Sequence, residues 1–179
     1  MSIDFKSTEL QRGLLRGSLM FFCIMVYTAC AAVAQSSIDS DTLLRISGQI
    51  VSPEGQDFVD LDRSELEALP QVTFETTTIW TDTAINFSGP ALGDVLASVG
   101  AGQERVLLFA ENGYNIEFPR EHLESAAPII ATRINGAPFS LREKGPLWLV
   151  FPYDSDPVYR TETIYAYSIW QLTSIEVID

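Results

Sequence analysis

Cysteine and histidine are almost missing from this chain: 179 residues hold two Cys and one His. Both cysteines, Cys23 and Cys30, fall in an early apolar run, so a structural zinc site has no ligand set to draw on. A Ser-His-acid centre would have to use His122. That residue sits among Arg120, Glu121 and Glu124 with no Gly-x-Ser-x-Gly in the chain, and it reads as a solvated surface histidine. Basic residues are also scarce. Eleven Lys+Arg face 24 Asp+Glu, a formal net charge of −13, which excludes a nucleic-acid binder because phosphate affinity rests on clustered cations. Gly-rich phosphate loops are absent as well. Asp154-Ser155-Asp156 lacks the Gly and closing Glu of a calcium loop and reads as an acidic turn.

What is there begins with an export leader. Lys6, Arg12 and Arg16 form a positive start, Ser18 to Ala31 is apolar, and Ala32-Val33-Ala34 is the small-x-small pattern of a signal peptidase site. Residues 1–34 are therefore expected to be a signal peptide, with Gln35 the new N-terminus and a periplasmic or secreted destination. An uncleaved anchor is the weaker reading, since Leu19 to Ala34 is 16 residues against the roughly 20 that span a bilayer. Lipidation at Cys30 is weaker still, because Tyr27 stands where lipoprotein signals usually carry Leu. Cleavage would remove three basic and two acidic residues and both cysteines, leaving 145 residues with 8 basic, 22 acidic and no thiol. Such a domain has to be held by its hydrophobic core, and its length suffices for one.

After a polar, flexible N-terminus over 35–42, short apolar runs alternate with turn signals. Strands are expected at 43–51, 58–61, 71–80, 105–110, 114–118, 129–134, 137–141, 147–151 and 171–178. Asp62 with Glu65 three residues on makes a capping box for a short helix stopped by Pro70. Leu92, Val95, Leu96 and Val99 mark a second helix, begun at Pro90 and ended at Gly100. A third short helix is expected over 119–126. Asn112-Gly113 and Asn135-Gly136 each predict a tight hairpin. The absence of a βαβ rhythm makes this an α+β domain of mixed, mostly antiparallel sheets with about three short helices.

Two groups of residues are candidates for a site. Of the eight basic residues after position 34, Arg133, Arg142 and Lys144 lie within twelve positions and could hold an anionic ligand such as a phosphate, although pairing with the 22 carboxylates is the favoured account. Trp80, Tyr153 and Trp170 are the aromatic candidates, and the polar, aromatic segment from Tyr153 to Trp170 has the composition of a loop over a pocket.

Four segments carry a resemblance: Gly89-Pro90-Ala91-Leu92-Gly93-Asp94-Val95-Leu96, Asn112-Gly113-Tyr114, Asn135-Gly136-Ala137-Pro138-Phe139, and Gly145-Pro146-Leu147-Trp148-Leu149-Val150-Phe151-Pro152. In this order, over 43–179, the chain resembles the molybdopterin-binding domain of sulfite-oxidase-type oxidoreductases. It is most similar to a short exported branch with a Tyr-Pro-Tyr-Asp-like loop and a Trp-Gln-Leu strand, here Phe151-Pro152-Tyr153-Asp154 and Trp170-Gln171-Leu172. The resemblance implies the sulfite-oxidase-type fold and a pocket lined by Trp80, Arg133, Lys144, Tyr153 and Trp170, with molybdopterin as a possible cofactor.

Three departures bear on activity. The family's molybdenum-ligating Cys would fall in Glu75-Thr76-Thr77-Thr78-Ile79-Trp80, which has threonine instead, and a hydroxyl is a poor substitute for a soft anionic sulfur. Trp148 replaces the family's usual Arg after Pro-Leu, and Arg12 and Arg16 are not adjacent, so no twin-arginine pair exists for exporting a cofactor-loaded protein. The expected function is a non-catalytic ligand- or partner-binding module. The alternatives are a pterin-dependent oxidoreductase without protein thiolate ligation, or an accessory protein to a membrane sensor or redox partner. The leader is tested by intact-mass measurement on protein exported from its host: a chain beginning at Gln35 is expected, and retention of Cys30 with an added lipid mass would contradict it.

Overall fold

Leu44 and Ile46 alternate with Arg45 and Ser47, and this period of two turns the two apolar side chains into the core, both 0% exposed. They lie on β1 (Leu44–Gly48) of a computed structural model that describes residues 42–101, 105–123 and 127–178. All of these belong to one compact unit, Asp39–Asp179. The expected leader, the expected flexible N-terminus apart from Thr42, and residues 124–126 of the expected third helix lie outside the described residues.

β2 (Phe58–Leu61) pairs antiparallel with β1, and across that pair the Arg45 guanidinium makes a two-pronged contact with Asp60, 2.8 Å on each prong. α1 (Arg63–Ala68) starts as its sequence dictates. Asp62 accepts from the Glu65 amide and Glu65 accepts from the Asp62 amide, both at 2.8 Å, while Leu66 buries and Pro70 comes after the end of the helix. Next come β3 (Gln71–Thr76), β4 (Ile85–Pro90) and α2 (Leu92–Ser98), whose Leu92, Val95 and Leu96 face inward and which Gly100 terminates at φ +69°. β5 (Arg105–Ala110) and β6 (Asn115–Phe118) form the hairpin that Asn112-Gly113 predicts. β7 (Ile129–Ala131), β8 (Arg133–Ile134), β9 (Trp148–Val150), α3 (Glu162–Tyr167) and β10 (Leu172–Ile178) complete the described elements, with single 3₁₀ turns at Arg120–His122, Leu141–Glu143 and Pro157–Tyr159.

The strands assemble as a five-stranded sheet in the order β2-β1-β10-β5-β6, a three-stranded sheet β3-β4-β8 and the pair β7-β9. Among the described residues only β1 and β10 run parallel; every other strand pairing is antiparallel. The domain is α+β. One apolar cluster packs α1 and α2 against the large sheet, and a second is built on Phe87, Ile129, Phe139, Trp148 and Val150.

Several local expectations are corrected. The described part of the helix expected over 119–126 holds only the 3₁₀ turn Arg120–His122, and the third α-helix forms at Glu162–Tyr167 instead. The strand expected at 43–51 ends at Gly48, and the one expected at 129–134 divides into β7 and β8 in different sheets. Pro90 does not open α2; it ends β4 opposite Gln71, at a strand terminus where its missing N–H is tolerated. The strand expected at 137–141 does not form: Ala137 makes one isolated bridge to Ile134, and Leu141 enters a 3₁₀ turn. The strand expected at 71–80 stops at Thr76, and residues 77–84 form a loop.

Gly89 shows how closely the layers meet. A Cβ at this position would collide with the Ile130 carbonyl of β7. Gly89→Ala is therefore expected to lower stability by about 3 kcal/mol in denaturant unfolding, since backbone has to move to admit it. Gly113→Ala, in open space at φ +83°, should cost less.

Candidate functional site

Once β3 ends, residues 77–84 have no ladder to hold them, and side-chain hydrogen bonds do the work instead. The Asp154 carboxylate accepts from the Thr77 amide at 2.6 Å and the Thr77 hydroxyl at 2.8 Å. Its own amide donates to the buried Thr76 Oγ1 at 3.0 Å. Arg160 reaches the same carboxylate at 2.6 Å and the Tyr153 carbonyl at 2.8 Å. Thr77's amide, its hydroxyl and then Arg160 hold the Asp154 carboxyl below the ordinary carboxylate value. Thr78 Oγ1 accepts from the Trp80 amide at 3.0 Å and shares a hydrogen bond with Thr81 Oγ1 at 3.0 Å, a local turn that fixes where Trp80 leaves the backbone.

Trp80 enters a cluster that contains all three tryptophans of the chain. Its ring centroid lies 5.8 Å from Trp148, 5.4 Å from Trp170, 5.8 Å from Tyr165 and 6.4 Å from Tyr153, at interplanar angles of 61° to 86°. Such edge-to-face pairs contribute about 0.5–1.5 kcal/mol each beyond their burial. Trp80 also packs against both apolar clusters. Behind it, Tyr153 is 1% exposed and hydrogen-bonds the Ser168 hydroxyl at 2.6 Å, which in turn donates to the Ile164 carbonyl at 2.8 Å. Burial pushes the Tyr153 phenol well above its ordinary value, so it stays neutral.

Two cavities flank the cluster. The first, about 250 Å³, lies between the β5–β6 turn and the segment from α3 to Trp170. Its walls are Trp80, Tyr165 and Trp170 on one side and Ala110, Asn112 and Tyr114 on the other. The Tyr114 hydroxyl reaches the Ala166 carbonyl at 3.4 Å. Among the described residues, no acidic or basic side chain lines this cavity. The second, about 330 Å³, is bordered by Thr81, Phe139, Glu143, Lys144 and Trp148. Lys144, at φ +73°, is held by its carbonyl accepting from the Gln171 amide at 3.1 Å. Its ammonium lies 5.5 Å from the Trp170 ring and 5.9 Å from Trp148.

Of the residues singled out from sequence, the structure brings Trp80, Trp170, Tyr153 and Lys144 together, with Tyr153 buried behind the wall rather than facing a cavity. Arg133 goes elsewhere: on β8 it pairs with Glu67 of α1 at 2.9 Å, beside Arg63. Arg142 is exposed on the 3₁₀ turn before Lys144. The three basic residues are thus neighbours in sequence without converging on one cavity. His122 is half-buried against Phe118 and Tyr167 rather than fully solvated. Asp154 and Asp156 behave as a turn, Asp156 accepting from the Val158 amide at 2.9 Å. Asn112 and Tyr114 went unmarked as site residues in the sequence. The turn signal at Asn112-Gly113 located them, but nothing local says that this turn faces α3.

Molybdenum ligation by these residues does not fit. The hydroxyls of Thr76, Thr77 and Thr78 are all engaged within the protein. Among the described residues no three of His, Cys, Asp and Glu gather as a metal-holding group. Compared with family models and with curated proteins, the chain matches none.

Asp154→Ala is expected to free residues 77–84 and lower the melting temperature at neutral pH. The folded-state pKa is lowered, so this contribution is complete above the ordinary value of 3.8 and is lost as pH falls through the lower folded value. Melting curves of both proteins should therefore converge on acidification. An offset unchanged from about pH 7 to about pH 2 would contradict the assignment.

Proposed function

We propose that this chain is an exported, non-catalytic domain of the molybdopterin-binding type, working in the periplasm or outside the cell as a ligand-binding module. The motif order over 43–179 and the leader at 1–34 support the fold type and the compartment. The observation that carries the non-catalytic reading is the threonine stretch. Where the resemblance calls for a thiolate, three hydroxyls stand, each already bonded to Asp154, Thr81 or backbone. A hydroxyl in that position is a hard, neutral donor, ill matched to a thiolate's role. The ligand-binding reading rests on the 250 Å³ aromatic cavity, whose walls are assembled from three separate parts of the chain.

Two observations bear against the pterin-dependent oxidoreductase. That alternative needs cations facing the aromatic cavity to hold the pterin phosphate, but Arg133 is committed to Glu67 and Lys144 borders the other cavity, beside Glu143. Metal analysis of protein purified from its own host tests the proposal. Molybdenum far below one per chain is expected; one molybdenum per chain with pterin fluorescence after denaturation would overturn the non-catalytic reading.

A further inference from the structure

Resting on the reading of the aromatic cavity as a ligand site, we propose that its ligand class is a small organic cation with a quaternary ammonium head, held by Trp80, Tyr165, Trp170 and Tyr114. Four features of the molecule lead there.

The first is shape. Trp80 meets Trp170 at 75° and Tyr165 at 86°, so the rings form a corner. A flat heterocycle needs a slot with near-parallel walls, whereas a corner of rings suits a compact, roughly spherical head. The second is the wall chemistry. With no acidic or basic side chain in the described lining, an anion finds no countercharge and a primary ammonium finds no carboxylate. Aromatic rings still attract a cation through their quadrupole, most strongly one whose charge is spread over methyl groups and whose dehydration is easy.

The third is the field around the site. The chain carries −13 overall and would carry a larger negative charge without its leader, which raises the local concentration of cations and repels anions. The fourth is a cation already placed on the same cluster: the Lys144 ammonium lies 5.5 Å from the Trp170 ring, outside the residues that line this cavity. The indole pair thus takes a positive charge within the protein itself. Lys144 also opposes a second cation near Trp170, so Trp80, Tyr165 and Tyr114 carry most of the attraction.

The test compares choline with 3,3-dimethylbutan-1-ol, its uncharged carbon isostere, by titration calorimetry and tryptophan fluorescence on the chain lacking residues 1–34, with sodium chloride as the ionic control. Choline is expected to bind at least tenfold more tightly than the isostere, to be weakened about tenfold or more by Trp80→Leu, and to be tightened by Lys144→Gln with the isostere unaffected. Tyr114→Leu provides a variant at a position 47% exposed, where the core is left intact, and should also weaken choline. Equal binding of choline and the isostere overturns the cation proposal and leaves the cavity standing as an apolar ligand site. Choline binding that Trp80→Leu and Tyr114→Leu leave untouched places the cation on the acidic surface and overturns it too. Binding of neither compound overturns it and removes the support for the cavity reading as well, independently of the molybdenum content.

Discussion

One carboxylate keeps the aromatic site in place. Asp154 receives the amide and hydroxyl of Thr77 and the guanidinium of Arg160, and its own amide is taken up by Thr76. Without these bonds, residues 77–84 would be restrained only by their local Thr78–Thr81 turn and by the packing of Trp80 at the junction of the two apolar clusters. The constraint works because its parts are rigidly based. Thr76 is the last residue of β3 and fully buried, and Asp154 comes after β9 and the buried Phe151 and Tyr153. A surface ion pair of this kind contributes little as a charge interaction alone. Its value here is positional, joining two segments 77 residues apart.

The sheets supply the frame. The parallel pairing of β1 with β10 brings the two ends of the domain together, and β10 in turn carries β5, so the turn after β5 stands beside the segment leading into β10. The aromatic cavity is the gap between that turn and that segment. Trp148 and Trp170 join across an isolated bridge, and Ser168 sits beneath them, its carbonyl accepting the Trp148 indole N–H at 3.3 Å and its hydroxyl meeting Tyr153. The cluster is thus anchored by backbone and buried hydrogen bonds on one side and by the Asp154 tether on the other.

What the sequence made legible was local. The cap of α1 needs only Asp62 and Glu65, the β5–β6 turn only Asn112-Gly113, and the end of α2 only Gly100, each a choice settled within a few residues. The α+β class came from the same short-range signals. What escaped was decided at long range. That Arg133 pairs with a carboxylate follows from the acidic excess, but which one is decided only when α1 brings Glu67 to it from 66 positions away. Tyr114 reads as the first residue of a strand, but the strand begins at Asn115 and α3 places Ala166 against the Tyr114 hydroxyl. Pro90 has a good helix-opening context and still completes a strand, because pairing with Gln71 across β3 outweighs the local preference. The aromatic candidates survived better than the basic ones for a physical reason: burial gathers large apolar rings, while charges find whichever partner the fold presents.

The gap framed by Trp80, Tyr165 and Trp170 is the proposed ligand site of this domain. Its most direct measurement is a crystal structure of the chain without residues 1–34 grown with tetramethylammonium. A single compact peak within about 6 Å of the three ring centroids is expected, with the loop 77–84 still tied to Asp154. A water-filled cavity, with the cation bound instead among surface carboxylates or beside Glu143, would contradict it.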